Sequence, residues 1–118
     1  MSILSRASIY TGPRELAGRR AAVLGLARTG VACIHFLADH GSHVIALDSK
    51  PPELLSAEAR QALARAHQAE TPYDGLQDLW PLDLMVVSPG VPTETAIVQE
   101  ARASGVEIIG EVELAYRF

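Results

Sequence analysis

The chain has 118 residues, 48% of them hydrophobic, with 10 Lys and Arg against 14 Asp and Glu and a formal net charge of −4. This length suits one globular domain and argues against a multidomain enzyme, a collagen-like repeat or a disordered acidic tail. Mild acidity and scattered basic residues argue against nucleic acid or an anionic membrane as the main partner. With one cysteine, no membrane-spanning stretch and no signal-peptide pattern, the composition predicts a soluble cytoplasmic domain.

The first half of the chain predicts strands and helices in alternation after an N-terminal arm. Residues 1–18 show no regular period, and the apolar run 21–24 predicts a strand that is buried on both faces. Apolar residues three or four apart predict a helix over 29–40, which Gly41 ends in a left-handed conformation. Residues 43–47 predict a second strand. Ser56 is the expected N-cap of an alanine-rich helix that runs to about His67.

The second half continues the alternation. A weak pattern over 71–75 predicts a short third strand, and residues 83–87 predict a fourth. A helix is expected from Pro92 or Thr93 to Ala103, where Gly105 ends it; 106–109 predict a fifth strand and 111–118 a last helix. Alternating helices and buried strands predict an α/β fold, a three-layer domain with a five-stranded, mostly parallel sheet.

A glycine-containing turn follows the first predicted strand. Residues 25–30 read G-x-A-x-x-G, a variant of the dinucleotide fingerprint G-x-G-x-x-G. Gly25 permits a tight turn, small Ala27 lets backbone approach a phosphate, and Gly30 lets the helix pack close to the sheet. The helix start attracts an anion, to which Thr29 can donate a hydroxyl and Arg28 can add charge. A close-packed turn without any ligand is the alternative.

A second polar turn, Asp48-Ser49-Lys50, follows the second predicted strand. Asp48 lies 18 residues after Gly30, close to the spacing at which a carboxylate meets a ribose hydroxyl. It could equally accept hydrogen bonds from a pyrimidine or purine ring. An ordinary turn cap is the alternative, because this composition is common in turns.

A third loop, Ser88-Pro89-Gly90, follows the fourth predicted strand and continues into Val91-Pro92. It is expected at the carboxyl edge of the sheet, where ligands bind in open α/β folds. A rigid connection to the next helix explains the same residues equally well.

Other residues predict no chemistry of their own. Cys33 lies on the predicted buried face of the first helix and is expected to act as a small core residue. The four histidines have no spacing typical of a metal site, and Tyr73 and Trp80 are expected to cover a sheet edge. There is no G-x-x-x-x-G-K-[ST] phosphate loop and no evident pair of base and nucleophile. The pattern therefore predicts a nucleotide-binding edge without catalytic residues.

Two long stretches resemble one enzyme family. AAVLGLARTGVACIHFLADHGSHVIALDSK and DLMVVSPGVPTETAIVQEARASGVEIIGEVELAYRF are similar to the start and the end of the first domain of the UDP-N-acetylmuramoyl-L-alanine:D-glutamate ligases, in the Mur ligase family. The resemblance spans residues 19–118 and implies a Rossmann-like domain that binds the UDP-precursor. It leaves residues 1–18 as an arm of unassigned role.

The resemblance also implies a division of roles. Arg28, Thr29 and Gly30 would hold the diphosphate, Asp48, Ser49 and Lys50 would surround the uracil, and Gly90 would border the ribose or the sugar. The family accepts Ala27 in place of the middle glycine. In the family, ATP phosphorylates the precursor carboxylate and the amine of D-glutamate attacks the acyl phosphate. The ATP site, Mg²⁺ ligands and D-glutamate site would lie in central and C-terminal domains that this chain lacks, so the chain is expected to be non-catalytic alone and to hold no cofactor or metal.

Two other classes remain open at this stage. The first is an NAD(P)-binding domain of an oxidoreductase or a redox-sensing regulator, which the glycine turn and Asp48 support. Ala27 would crowd a dinucleotide pyrophosphate, and that class does not require the loop at 88–92. The second is an interaction module without a nucleotide, which would leave three aligned loops unexplained.

Overall fold

The computed structural model describes residues 16–74 and 81–117. Within these ranges five strands and four α-helices alternate, with one short 3₁₀ helix between them. In chain order they are β1 (Arg20–Leu24), α1 (Arg28–Asp39), β2 (His43–Leu47), the 3₁₀ helix (Pro52–Leu54), α2 (Ala57–Leu63), β3 (Gln68–Glu70), β4 (Leu84–Val87), α3 (Ala96–Ala103), β5 (Glu107–Gly110) and α4 (Glu111–Arg117).

The strands that the structure describes form one sheet in the order β3-β2-β1-β4-β5, and every neighbouring pair is parallel. Leu24 at the end of β1 pairs with Leu47 of β2 on one side and with Val87 of β4 on the other. The carboxyl ends of the three central strands are therefore level, and the loops that leave them start at the same edge. The predicted α/β class is confirmed, with a sheet that is wholly parallel.

Helices cover both faces of the sheet, which gives the three predicted layers. Ala21 and Val23 of β1 face a core formed with α1, α2 and α4, whereas Ala22 and Leu24 face a second core formed with α3. Four of the five β1 residues are fully buried, as a strand covered on both faces requires. None of the helices in the described ranges is long and apolar enough to cross a bilayer.

The third strand is the main error of the sequence prediction. It lies at Gln68–Glu70 and not at 71–75; residues 71–74 form no strand, and Gly75 lies outside the described residues. Among the strands of the described ranges, β3 lies at the edge of the sheet, pairs only with β2 and leaves Ala69 exposed. A strand of this kind needs no apolar run, so its sequence carries no strand signal.

Two helix boundaries also differ from prediction. Helix α2 has the predicted Ser56 N-cap, whose hydroxyl accepts from Ala59 N at 3.0 Å, but it ends at Leu63, before His67. His67 N instead donates to Val44 O at 2.8 Å, which aligns the chain for β3. Helix α3 begins at Ala96, and not at Pro92 or Thr93, because a turn comes first.

That turn is closed by Thr95, whose N–H donates to Pro92 O at 3.1 Å and whose hydroxyl donates to the same oxygen at 2.5 Å. Gly41 and Gly105 follow helices α1 and α3 with φ of +84° and +87°, as predicted for glycines at these ends.

At the start of the described chain Leu16 is fully buried in the core, and Gly18 N donates to Gly41 O at 2.9 Å. Residues 16–18 therefore pack as part of the domain.

Candidate functional site

The loops after β1, β2 and β4 converge on one open cleft of about 1150 Å³ at the carboxyl edge of the sheet. Nine of the ten residues predicted to form a site line it. They are Gly25, Arg28, Thr29, Asp48, Ser49, Lys50, Ser88, Pro89 and Gly90. The tenth, Gly30, lies behind the cleft wall. The structure thus brings together three loops that are separated by up to 65 residues in sequence.

Gly25 forms the turn at the centre of the cleft. Its φ of +97° lies in the region where glycine is favoured, and a side chain there would meet Ser88 and Val91 at 3.0 Å. Its N–H donates to Leu47 O at 2.8 Å, and its carbonyl accepts the hydroxyl of Ser88 at 2.9 Å. The turn after β1 is therefore fastened to both neighbouring strands.

Gly30 permits the close approach of α1 to this turn. A Cβ at position 30 would lie 1.8 Å from the carbonyl oxygen of Gly25, and this backbone atom cannot rotate away. Gly30 is buried and does not line the cleft. Of the roles considered from sequence, the structure supports close packing of helix against turn for Gly30.

Asp48 joins the first two loops. Its carboxylate accepts from Leu26 N at 2.7 Å through Oδ2 and from Lys50 N at 2.9 Å through Oδ1. Asp48 is only 9% exposed, and Leu26 is 3% exposed. Each carboxylate oxygen already holds one backbone donor, so the observed geometry is that of a brace between the loops. The structure thus shows the turn-forming role that the sequence left open.

The start of α1 faces the cleft, and its charge and its unpaired N–H groups favour an anion. Its N-cap residue, Ala27, provides no side-chain hydrogen bond, and the first turn contains no acidic residue. The first N–H groups of a helix have no partner within the helix, and they carry partial positive charge. Arg28 and Lys50 add two cations to the lining, and neither side chain has a hydrogen bond or ion pair in the described part of the chain.

The loop after β4 closes the opposite side of the cleft. Ser88 is 6% exposed, and its hydroxyl is committed to Gly25 O. Pro89 and Gly90 are exposed, and a Cβ on Gly90 would meet nothing within 4 Å. This loop provides backbone and apolar surface to the cleft, while its serine holds the glycine turn in place.

The cleft extends beyond the predicted residues along the β2–β3 side. Its further lining there comes from the 3₁₀ helix, the start of α2 and the chain after β3, and includes Leu54, Leu55, Ser56, Glu58 and Tyr73. The sequence rule that ligands bind where parallel strands end would have found Tyr73 if β3 had been placed at 68–70. Trp80, which was paired with Tyr73 in the sequence analysis, lies outside the described residues.

Cys33 and the histidines were expected to have no chemistry of their own. Cys33 is buried against the core, and burial, with a smaller contribution from Glu111, raises the pKa of its thiol to about 11. Such a thiol is a poor nucleophile at neutral pH. Over the ranges 16–74 and 81–117 no group of three or more His, Cys, Asp or Glu side chains is placed to hold a metal ion.

A wholly parallel sheet covered on both faces, with a glycine turn and an uncapped helix start at its carboxyl edge, defines a Rossmann-type α/β domain. Residues 19–110 match the family described as Mur ligase MurD-like, N-terminal domain. The chain therefore belongs to the MurD-like N-terminal domain family of the Mur ligases.

Curated relatives agree with this assignment. The chain is 43% identical over 104 residues to the UDP-N-acetylmuramoylalanine–D-glutamate ligase of Myxococcus xanthus, covering 86% of this chain and 22% of the relative. It is 39% identical over 104 residues to that of Geobacter metallireducens and 34% identical over 106 residues to that of Caldicellulosiruptor saccharolyticus, covering in both cases 88% of this chain and 23% of the relative. The chain thus spans less than a quarter of the length of these relatives.

Among solved structures, the chain is similar to shikimate dehydrogenase from Aquifex aeolicus, with a TM-score of 0.53 and 13% identity over 98% of this chain and 49% of the other. At this identity the likeness shows a shared Rossmann-type fold. The sequence relatives favour the ligase family over the NAD(P)-binding oxidoreductase that the glycine turn left open.

Proposed function

We propose that the cleft binds the UDP part of UDP-N-acetylmuramoyl-L-alanine. The observation that carries this proposal is the uncapped start of α1 beside two cationic side chains, Arg28 and Lys50, that have no partner in the described ranges. Together they favour a ligand with concentrated negative charge, as a diphosphate has. The relatives are named for a ligase whose substrate carries this group.

Each of the three loops contacts a different part of that ligand. The diphosphate lies against the turn after β1, where small Ala27 and the helix N–H groups allow close approach, and Arg28 and Thr29 contact its oxygens. The uridine lies towards the turn after β2, where Ser49 and Lys50 are exposed and line the cleft. Gly90 borders the ribose or the sugar, because it leaves open space on the other side of the cleft.

Hydrogen bonds between the three loops form the site before a ligand binds. Gly25, Asp48 and Ser88 connect the three turns through hydrogen bonds of 2.7–2.9 Å, so little backbone has to be ordered when the ligand enters. Asp48 contributes by holding the backbone of Leu26 and Lys50. Its carboxylate oxygens can each accept one further bond from the base.

The role of the chain in the reaction is to hold the precursor while another part of the protein performs the chemistry. In the ligation, ATP supplies the phosphoryl group that activates the precursor carboxylate for attack by the amine of D-glutamate. The described residues do not fit ATP with Mg²⁺, since they contain neither a G-x-x-x-x-G-K-[ST] loop nor a group of metal ligands. We assign ATP, Mg²⁺ and D-glutamate to other domains of a cytoplasmic, ADP-forming ligase of peptidoglycan synthesis, and the 118 residues alone to binding.

Ligand-dependent thermal stability tests the proposal. A ligand that binds only the folded state at about ten times its Kd stabilises by about 1.4 kcal/mol, which raises the unfolding midpoint by roughly 5 °C. We expect this shift with UDP-N-acetylmuramoyl-L-alanine, a smaller one with UDP, and none with NAD. Stabilisation by NAD without stabilisation by either uridine compound contradicts the proposal and favours the oxidoreductase class.

A matched pair of arginine variants tests whether the diphosphate binds in the cleft. Arg28→Ala removes a cation that lines the cleft, whereas Arg102→Ala removes an exposed cation near the end of α3, outside the cleft. Both unliganded variants should unfold at the wild-type midpoint, because neither arginine has a described partner. Only Arg28→Ala should reduce the shift caused by UDP, and equal shifts in the two variants would place the diphosphate elsewhere.

A further inference from the structure

One wall of the cleft, which also contains Ser56 and Glu58, presents two large apolar side chains next to a polar turn. Leu54, at the end of the 3₁₀ helix, is 66% exposed and lines the cleft. Tyr73 lines it as well and packs against the core on the α3 face of the sheet. The turn of Ser49 and Lys50 belongs to the same side of the cleft. Apolar faces beside groups that can form hydrogen bonds are what a flat heterocyclic ring requires of a site.

The position of Tyr73 is fixed by backbone hydrogen bonds. Its N–H donates to Asp48 O at 3.1 Å, and Asp48 N donates to Glu70 O at 3.3 Å. Tyr73 is therefore held on the β3 side of the end of β2. Because β2 lies between β3 and β1, this position is two strand spacings from the glycine turn after β1. Neighbouring strands lie about 4.8 Å apart, so this offset is roughly 10 Å. A nucleoside diphosphate whose phosphates lie at the turn after β1 can extend its base across this distance.

The two sides of the cleft differ in the polar groups that they leave open. On the β4 side, the hydroxyls of Ser88 and Thr95 donate to backbone carbonyls of the chain itself. On the β2 side, the side chains of Ser49 and Lys50 have no partner in the described parts of the chain. The hydroxyl of Tyr73 has none there either. The β2–β3 side can therefore donate to and accept from the edge of a base, whereas the hydroxyls of Ser88 and Thr95 on the β4 side have no hydrogen left to donate to it.

We propose that Tyr73 and Leu54 contact the faces of the nucleotide base and that Tyr73 is its stacking residue. This proposal rests on the proposed function, because it takes the diphosphate to lie at the start of α1. The ring of Tyr73 is held against the core, so little of its freedom is lost when a base stacks on it. Leu54 is exposed without the base and is covered when the base is bound.

Paired probes separate base contacts from phosphate contacts in the 118-residue chain. UDP carries the base, whereas inorganic pyrophosphate carries only the phosphates. Tyr73→Leu keeps apolar volume against the core but removes the aromatic ring, and Leu54→Ala shortens an exposed side chain. Tyr116→Ala is the control, because Tyr116 is 90% exposed on α4 and does not line the cleft. Binding is followed by NMR, with the uracil H5 and H6 resonances for UDP and ³¹P linewidths for pyrophosphate.

The stacking proposal predicts different results for the two probes. Tyr73→Leu should weaken UDP about tenfold, as expected when an aromatic ring no longer stacks on a base, and abolish the upfield shift of H5 and H6. Leu54→Ala should weaken UDP about threefold, and Tyr116→Ala should leave it unchanged. Pyrophosphate binding should match wild type in all three variants, which excludes a loss caused by misfolding.

The possible failures are distinguishable. Wild-type affinity for UDP in Tyr73→Leu, with the H5 and H6 shifts intact, overturns the stacking contact and leaves the proposed function standing. Equal weakening of UDP and pyrophosphate by Tyr73→Leu also overturns it, since the change then acts on the whole site. If the wild-type chain does not bind UDP, the proposed function fails and the stacking contact fails with it.

Discussion

Asp48→Ala tests whether the turns of the cleft are held in place before any ligand binds. The substitution removes the acceptor for the backbone N–H of Leu26, a buried donor bonded at 2.7 Å. A hydrogen bond to a charged acceptor contributes about 1.5–3 kcal/mol to the free energy of unfolding. When the acceptor is removed and the buried donor stays unpaired, most of this contribution is lost. The N–H of Lys50 lies near solvent, and water can replace its bond. We therefore expect the free energy of unfolding to fall by about 2–3 kcal/mol.

Equilibrium unfolding in urea near neutral pH measures this loss, with a constant m-value as the check that only stability has changed. Asp48→Asn retains one carbonyl oxygen and can satisfy one of the two donors, so about half of the loss is expected. Asp74→Asn is the matched control, because Asp74 is exposed and has no described partner. If Asp48→Ala lies within about 0.5 kcal/mol of wild type, the usual range for neutral surface changes, the carboxylate is not a brace.

Three further predictions concern packing, thiol reactivity and pH. Gly30→Ala places a Cβ 1.8 Å from the carbonyl oxygen of Gly25 and should lower the free energy of unfolding in urea by about 3 kcal/mol. Gly90→Ala is the control, because its Cβ would meet nothing within 4 Å, and it should change the free energy of unfolding by less than about 0.5 kcal/mol. Equal urea midpoints for the two variants would contradict the packing role of Gly30. The thiol of Cys33, with its pKa raised to about 11, should be alkylated slowly at about pH 8 in the native state and fast in urea, and rapid native labelling would contradict its burial. Burial, followed by the nearby charges of Arg20 and His67, lowers the pKa of His43 from its ordinary value of 6.5. The folded state therefore favours the neutral imidazole. This contribution to the free energy of unfolding is fully present above pH 6.5 and is lost as the pH falls through the lowered pKa of the folded state. Urea midpoints at about pH 7.5 and about pH 5 should therefore differ less in His43→Gln than in wild type, and an equal difference would contradict the shift.

The fold was predictable where burial and sequence pattern coincide. β1, β2 and β4 are covered on both faces, so each appears as a continuous apolar run, and glycines end two helices where a positive φ is needed. Where tertiary contacts decide a boundary, the pattern misled. β3 exists because Gln68–Glu70 pairs with β2, and α2 ends early because His67 bonds to Val44.

The site was predictable from the parallel direction of the strands, whose carboxyl ends share one edge of the sheet. Three loops that each follow a predicted parallel strand were expected at one edge, and the structure places them around one cleft. The division of labour inside the cleft was not predictable, because it depends on distances across the chain. The hydroxyl of Ser88 and the carboxylate of Asp48 bond to backbone that is 63 and 22 residues away, respectively. Tyr73 was missed because the strand before it had been misplaced.

Chemical-shift mapping of the backbone amides during titration with UDP tests the binding claim most directly. The largest changes should fall on Arg28, Thr29, Ser49, Lys50 and Gly90, which surround the cleft, while amides of α4 should stay unchanged. Titration with NAD at the same concentrations should leave these amides in place. Changes confined to residues outside the cleft, or equal responses to UDP and NAD, would contradict a uridine diphosphate site at this edge of the sheet.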